Sequence, residues 1–313
     1  MKRDIKVLFT EFIRDCRFVT GLSHETIRGY EICFGTLIKL TPDLSIDSLH
    51  RATISLFFEQ LENRERVVGK NTIKSGVKKS TLATYRSKLN TFFDWLVNNS
   101  YIKINPFHGM PYPRVYYDNI KYIKKNDIEK IFAAIWTSSS SFIRSRNYAI
   151  FKVLLFCGLR KNELLNIRLD DICLDFGNES LIVRPETSKS KRKRTLPLTK
   201  EVFPFLKVYL SERKKRKLTT QFLFTSDNHD NKLSHGGIKH LVERLVDKSK
   251  INFHLHQFRH TFAINMLVLG CGIVKLKELL GHSDIRMTMA YLRHIPPEAM
   301  RQDMDKLNPN DFI

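Results

Sequence analysis

The segment Leu255-His-Gln-Phe-Arg259-His-Thr-Phe-Ala263-Ile-Asn-Met-Leu-Val-Leu269 decides how the second half of this chain folds. Phe258, Phe262, Ile264, Met266 and Leu267 recur as they do in a mostly buried helix, and on it His256 and Arg259, three apart, turn their polar heads to one face. Both can meet one phosphate. Gly270 and Gly272 interrupt the pattern, which restarts as Ile273-Val-Lys-Leu-Lys-Glu-Leu-Leu280. Gly281 supplies the left-handed residue that ends such a helix and presents His282 at its mouth. Ser283 or Asp284 can cap a further helix, predicted over Ile285 to Leu292, with Tyr291 on its second turn.

Far upstream, Cys157-Gly-Leu-Arg160-Lys-Asn-Glu163 adds a second arginine. Each of these residues has a plain reading by itself: Tyr291 beside Met287 and Met289 as a half-buried core aromatic, Arg160 with Glu163 as a surface ion pair. Together they are the side chains that a metal-free attack on a phosphodiester needs. A tyrosine oxygen can displace one DNA strand if its proton is taken up, the leaving 5′ oxygen is protonated, and charge on the non-bridging oxygens is neutralised. Arginine forks stay charged and fit a phosphate in bidentate fashion, so a pair of them can stand in for a metal ion.

The segments Gly158-Leu-Arg160-Lys-Asn-Glu163-Leu, His256-x-x-Arg259-His-Thr-Phe-Ala263, Leu279-Leu-Gly-His282-Ser-Asp284 and Tyr291-x-x-His294 resemble the tyrosine recombinases, the phage integrases and Xer-type enzymes. Order, separation and context agree across about half the chain. The resemblance implies a site-specific recombinase or integrase that cleaves and rejoins DNA. Tyr291 would be the nucleophile that forms a 3′-phosphotyrosyl link, Arg160 and Arg259 the phosphate clamp, and His282 a further donor. His256 would accept or relay the tyrosine's proton, a role that its near-neutral unperturbed pKa suits. Glu163 would buttress Arg160. The family's general acid, a lysine on a β-hairpin, falls on Lys189 by counting back from the strand Arg194-Thr-Leu-Pro-Leu198. Leu181-Ile-Val-Arg184 is the partner strand and Ser188-Lys-Ser-Lys-Arg-Lys193 the basic turn. Serines stand where the family has glycines, Lys191 and Lys193 share the face of Lys189, and a backbone-gripping patch explains the lysines equally well.

Bulk properties fit a DNA partner. Lys and Arg total 53 against 32 Asp and Glu, net +21, an excess suited to replacing counterions on nucleic acid. The charge is spread: the first 110 residues hold 17 basic against 11 acidic, the remainder 36 against 21. No long apolar span, lipidation signal or secretion signal is present, which argues against a membrane and for a cytoplasmic, nucleoid-associated protein. Cysteines 16, 33, 157, 173 and 271 are unpaired in spacing, so they read as buried thiols, with no disulfide, metal or cofactor expected.

The expected architecture is mainly α with a small β-sheet in an α+β catalytic domain. A helical, SAM-like core-binding domain covers residues 1–105: a helix through Ile5 to Ile13, one capped by Ser23 and running to Leu40, one near Ile54 to Leu61, and one from Ser80 carrying Leu82, Tyr85, Leu89, Phe92, Phe93 and Leu96 inward. The run Arg64 to Lys79 reads as a mobile loop. A linker spans 106–125, marked by Asn105-Pro-Phe-His-Gly-Met-Pro-Tyr-Pro113; the catalytic domain is 126–295, its first helix running Ile128 to Trp136; Arg213 to Lys217 reads as a solvated helix end. Residues 296–313 form a tail helix, with Met300, Met304 and Leu307 on one side, to be exchanged between protomers of a tetramer on paired sites. The two domains would clamp double-stranded DNA at specific recombination sites, with accessory DNA-bending proteins possible. The chain opens on the core-binding pattern, so no arm-site domain is expected. Two rivals differ in what they predict: a type IB topoisomerase would not exchange duplexes, and a binding factor would form no covalent link.

Overall fold

The computed structural model describes residues 3–68, 72–111, 120–227 and 229–305, and the chain separates into two compact units, 1–116 and 117–313. The first is helical. Helices α1 (Ile5–Phe18) and α2 (His24–Leu40) begin at Asp4 and Ser23, whose side chains accept the Lys6 and Thr26 N–H groups. They pack with α3 (Arg51–Asn63) and α4 (Lys79–Asn98). Phe9 stacks on Phe34 at 3.8 Å and meets Phe92 edge-on at 5.2 Å, tying three helices together. The aromatic stripe of α4 is therefore core.

Between α3 and α4 the expected loop is instead an antiparallel ribbon of β1 (Glu65–Val68) and β2 (Thr72–Ser75). Its β-branched residues explain this: Val67 lies opposite Ile73, and such pairs favour strand geometry even when exposed.

In the second unit, α5 (Lys125–Trp136) starts three residues before the predicted Ile128, inside the segment read as linker; residues 112–119 of that segment lie outside the described residues. Helix α6 (Ser141–Cys157) runs through the core, with Ala149, Ile150, Phe151, Val153 and Leu154 fully buried, and packs against α8 (Phe203–Lys215) and α10 (Leu255–Val268). Short α7 (Lys161–Leu165) leads to a three-stranded antiparallel sheet, β3 (Ile172–Cys173), β4 (Ser180–Val183) and β5 (Arg194–Pro197), in which Leu181 faces Leu196. Helices α9 (His235–Ser249), α11 (Ile273–Leu280), α12 (Arg286–Met289) and α13 (Pro297–Met304) complete the unit.

Some expectations are corrected. The helix predicted over Ile285 to Leu292 is α-helical only to Met289, and Ala290–His294 tightens into a 3₁₀ turn carrying Tyr291. Pro296 and Pro297 follow, and the residue before a proline is driven out of the helical region; Ile295 is extended at φ −64°, ψ 126°. Arg213 is buried at 3% exposure and donates to the carbonyls of Thr220, Phe222 and Leu223, so it is not part of a solvated helix end. Of the thiols, Cys16, Cys33 and Cys157 are buried, whereas Cys173 and Cys271 are partly exposed. Leu307 of the predicted tail stripe lies outside the described residues, among which no helix is long and apolar enough to cross a membrane.

Helix α6 ends at Gly158 with φ +60°, and a Cβ there would come within 2.4 Å of Phe262 Cδ1 on α10. Gly158→Ala therefore meets both a strained backbone and a ring, and should cost more than about 1 kcal/mol, lowering the thermal midpoint by at least about 2 °C. A scanning-calorimetry midpoint equal to the parent's would mean that Phe262 moves aside freely.

Candidate active site

Three guanidinium groups converge on one carboxylate. Glu163, the third residue of α7, is 2% exposed. Its Oε1 and Oε2 accept from Arg194 Nη1 and Nη2 at 3.0 and 2.7 Å, a bidentate pair reaching in from β5. Arg160, at the N-cap of α7, adds its backbone N–H to Oε2 at 2.9 Å and Nη1 to Oε1 at 3.0 Å, so the three-residue spacing puts both ends of one residue on the carboxylate. Arg259 Nη1 stands 4.0 Å from Oε2. Burial acts to raise the Glu163 pKa; Arg194 by hydrogen bonding and charge, with Arg160 and Arg259, holds it below the ordinary value.

The same arginines share the C-terminus of α11. Arg194 Nε donates to Leu279 O at 3.0 Å, Arg259 Nη2 to Leu280 O at 2.7 Å, and Arg160 Nη1 and Nη2 each to Gly281 O at 3.3 Å. The last carbonyls of a helix lack intrahelical partners and form the negative end of its dipole, so they suit cations. Gly281, at φ +63°, turns the chain to expose them, and a Cβ on it would lie 2.7 Å from Arg194 Nη1. Arg259 takes a second carbonyl, Gly158 O at 2.7 Å, from the end of α6. It is 1% exposed, and burial and Arg160 lower its pKa to about 9, which leaves it charged at neutral pH. Three guanidiniums against one carboxylate leave a positive surplus able to receive an anion.

His282 is held on this end by a bond from its N–H to Lys277 O at 3.1 Å, while Gly281 N–H bonds Glu278 O at 3.0 Å. Its Nδ1 lies 2.8 Å from Oγ1 of the fully buried Thr288 on α12. Its ring runs parallel to that of Tyr291 at 6.5 Å. Tyr291 is 3% exposed, and its hydroxyl is 2.9 Å from Nδ1 of His260, not His256. His256 sits one helical turn before His260, ring to ring at 4.4 Å.

Burial keeps Tyr291 and the histidines of the site in their neutral forms. Burial raises the Tyr291 pKa against the pull of Arg259 and Arg160. Desolvation, then His256 and Arg259, lowers His260 to about 4, and desolvation with Arg259 and Arg160 lowers His282 to about 3. His256 is solvent-exposed as a residue; desolvation of its ring, Arg259 and Arg160 lower it too, so the near-neutral titration expected of it does not hold here.

The structure thus brings Arg160, Arg259, His256, His282 and Tyr291 together. Lys189 it leaves apart: the lysine is exposed on the turn between β4 and β5, where Ser188 and Ser190 share a 2.9 Å hydrogen bond and Lys191 has φ 52°. No hydrogen bond or ion pair among the described residues joins it to the arginines. Sequence reasoning did not single out Arg194, His260 or Thr288 as site residues. His260 carries a signal, four residues after His256 on the same helix face; Arg194 and Thr288 carry none that spacing reveals.

A mainly helical unit with a small sheet and this arginine, histidine and tyrosine cluster has known relatives. The model of the phage integrase family matches residues 121–296, and the chain belongs to that family. Tyrosine recombinase XerC of Bacillus subtilis (strain 168) is 27% identical over 266 residues, covering 83% of this chain and 84% of its own. Tyrosine recombinase XerD of Listeria monocytogenes serovar 1/2a is 26% identical over 312 residues, 96% of this chain and 98% of its own. In fold, the chain is similar to the integrase of transposon Tn1549 in complex with transposon right end DNA, with TM-score 0.76, 20% identity and coverage of 97% and 99%. It is also similar to the XerH recombinase bound to palindromic difH substrate, with TM-score 0.71, 17% identity and coverage of 94% and 82%.

A pH dependence of stability follows. His260 and His282 bind a proton less readily folded than unfolded, so the unfolded chain takes up protons first as pH drops below about 6.5. Stability is complete above that pH and is lost as pH falls through about 4 for His260 and about 3 for His282, with Glu163 acting in the same direction at the acid end. Urea midpoints should decline from about pH 7 to about pH 5, and less steeply in a His282→Asn variant; a midpoint constant over that range is the contrary result.

Proposed function

We propose that this chain is a site-specific DNA recombinase whose Tyr291 cleaves a strand by forming a 3′-phosphotyrosyl link. The observation that carries this reading is the buried Tyr291 hydroxyl beside the Arg160, Arg259 and His282 cluster, within the region that matches the family. The phenol oxygen attacks phosphorus, the P–O5′ bond breaks, and the 5′ oxygen leaves with a proton. A 5′ hydroxyl from another strand reverses the step. One ester is exchanged for another each time, so no external energy source is consumed. The arginines neutralise charge on the non-bridging oxygens, a rigid fork being worth more there than a flexible ammonium. With Nδ1 bonded to Thr288, His282 has Nε2 to offer the same phosphate. His256 faces the arginines from α10, where it fits a role around the tyrosine's proton. Lys189 would come to the leaving oxygen only when DNA draws its basic turn inward.

The wider reading is a cytoplasmic, nucleoid-associated protein acting on duplex DNA with specific recombination sites. Residues 1–105 supply the core-binding domain, 106–125 the strap and 126–295 the catalytic domain, closing as a clamp. A homo-tetramer would pair two sites, with accessory DNA-bending proteins assisting. The described part of the tail, α13, presents Met300 and Met304 to solvent at 46% and 67% exposure. A single short amphipathic helix is unstable unless it docks, which supports its exchange between protomers.

On a nicked recombination-site substrate in excess EDTA, the native protein should form a denaturant-resistant adduct, whereas Tyr291→Phe should bind normally and form none. An adduct in that variant, or strict dependence of cleavage on a divalent cation, overturns the reading. For the general acid, Lys189→Ala should cleave ordinary DNA poorly and recover when sulfur replaces the leaving oxygen, since a thiolate departs without a proton. Equal impairment on both substrates would leave Lys189 as a backbone contact.

A further inference from the structure

We infer that His260 is a catalytic residue, the group that takes the Tyr291 proton as the phenol oxygen attacks and returns it when the link is resolved. The inference rests on the proposed nucleophilic role of Tyr291 and assigns its proton a destination. His260 Nδ1 lies 2.9 Å from the Tyr291 hydroxyl, the distance at which a proton passes within one hydrogen bond. Arg259 and Arg160 pull the phenol toward losing its proton, while both Arg259 Nη groups are engaged by the carbonyls of Gly158 and Leu280. For the phenol to donate along this bond, His260 must present the Nδ1 lone pair and carry its ring proton on Nε2, and that tautomer is the one we assign.

In cleavage the Tyr291 O–H bond breaks and its proton moves to the Nδ1 lone pair. The oxygen forms its bond to phosphorus as P–O5′ breaks, and a separate acid protonates the leaving oxygen. In rejoining, the imidazolium of His260 gives the proton back. Groups around the ring are His254 at the N-cap of α10, His256 and Arg259 on α10, and Tyr291 and His294 from the 3₁₀ turn. The cations among them oppose a proton on His260 in the DNA-free protein. Burial is the larger opposing cause; a phosphodiester seated against Arg259 offsets the part due to its charge, so the base strengthens when substrate is bound. His256, 4.4 Å away ring to ring and open to solvent, stands behind His260 and makes no hydrogen bond to the tyrosine.

The test measures adduct formation by the full chain on a nicked recombination-site duplex, with imidazole and substituted imidazoles of graded basicity added to a His260→Ala variant. Binding should stay at the native level. Cleavage should fall on the order of 10²-fold or more and return with added imidazoles in order of their basicity. It should remain slow when sulfur replaces the leaving oxygen, because the missing proton transfer is at the nucleophile. His260→Gln, which keeps a hydrogen-bonding group but cannot carry the proton, should be equally slow, and it decides the matter if the alanine variant does not fold. Native-rate cleavage by either variant overturns the inference, as does equal rescue by pyrazole, a ring of the same shape but little basicity. An adduct in Tyr291→Phe would instead reject the nucleophile assignment itself, leaving the two failures distinct.

Discussion

The charge balance around Glu163 governs the catalytic unit. Arg160, Arg194 and Arg259 lie within one group's reach of each other, an arrangement that mutual repulsion and desolvation would scatter into solvent. One buried carboxylate and the carbonyls ending α11 hold them. Removing one partner of a buried ion pair typically costs about 3–5 kcal/mol because the other charge is left uncompensated. The neighbouring architecture serves this balance: Leu164 and Leu165 anchor α7 in the core, and Gly158 and Gly281 end two helices where arginine heads need oxygen. The surplus positive charge is then a built property of the interior.

Burial first, and that surplus second, set the protonation of the neighbouring histidines. Imidazoles that would titrate near neutrality in water are kept neutral, and the phenol keeps its proton because burial outweighs the arginines' pull. The neutral imidazole of His260 and the protonated phenol of Tyr291 thus share one hydrogen bond at rest.

Much of this was legible in the chain. Helices α10 and α11, the turn at Gly281, and the pairing of Arg160 with Glu163 follow from the glycine and from spacings of three and four residues, which a helix converts directly into neighbours. Strands β4 and β5 followed from β-branched residues flanking a polar turn. Arg194 was not legible, because it meets Glu163 across 31 residues and through a strand register that no local pattern encodes. His260 was in view, but its partner depends on where a short 3₁₀ turn places Tyr291, and the rule for continuing a helix failed there against two prolines. The ribbon of β1 and β2 was hidden by charge: Arg66 opposite Lys74 reads as solvated loop until the flanking valines and Ile73 are weighed as strand formers.

The carbonyls of α11 are joined to arginines distant in the chain, Arg160 across 120 and 121 residues, and Arg259 meets Gly158 across 101. Such contacts close long loops and form late, after local helices are in place. The catalytic centre therefore has no partial version. During synthesis the first arginine and its carboxylate emerge well before the helix end that completes their cage and the tyrosine that follows it. A growing chain holds Arg160 and Tyr291 apart until the segment beyond α11 has been made, so the cluster is complete only in the finished fold.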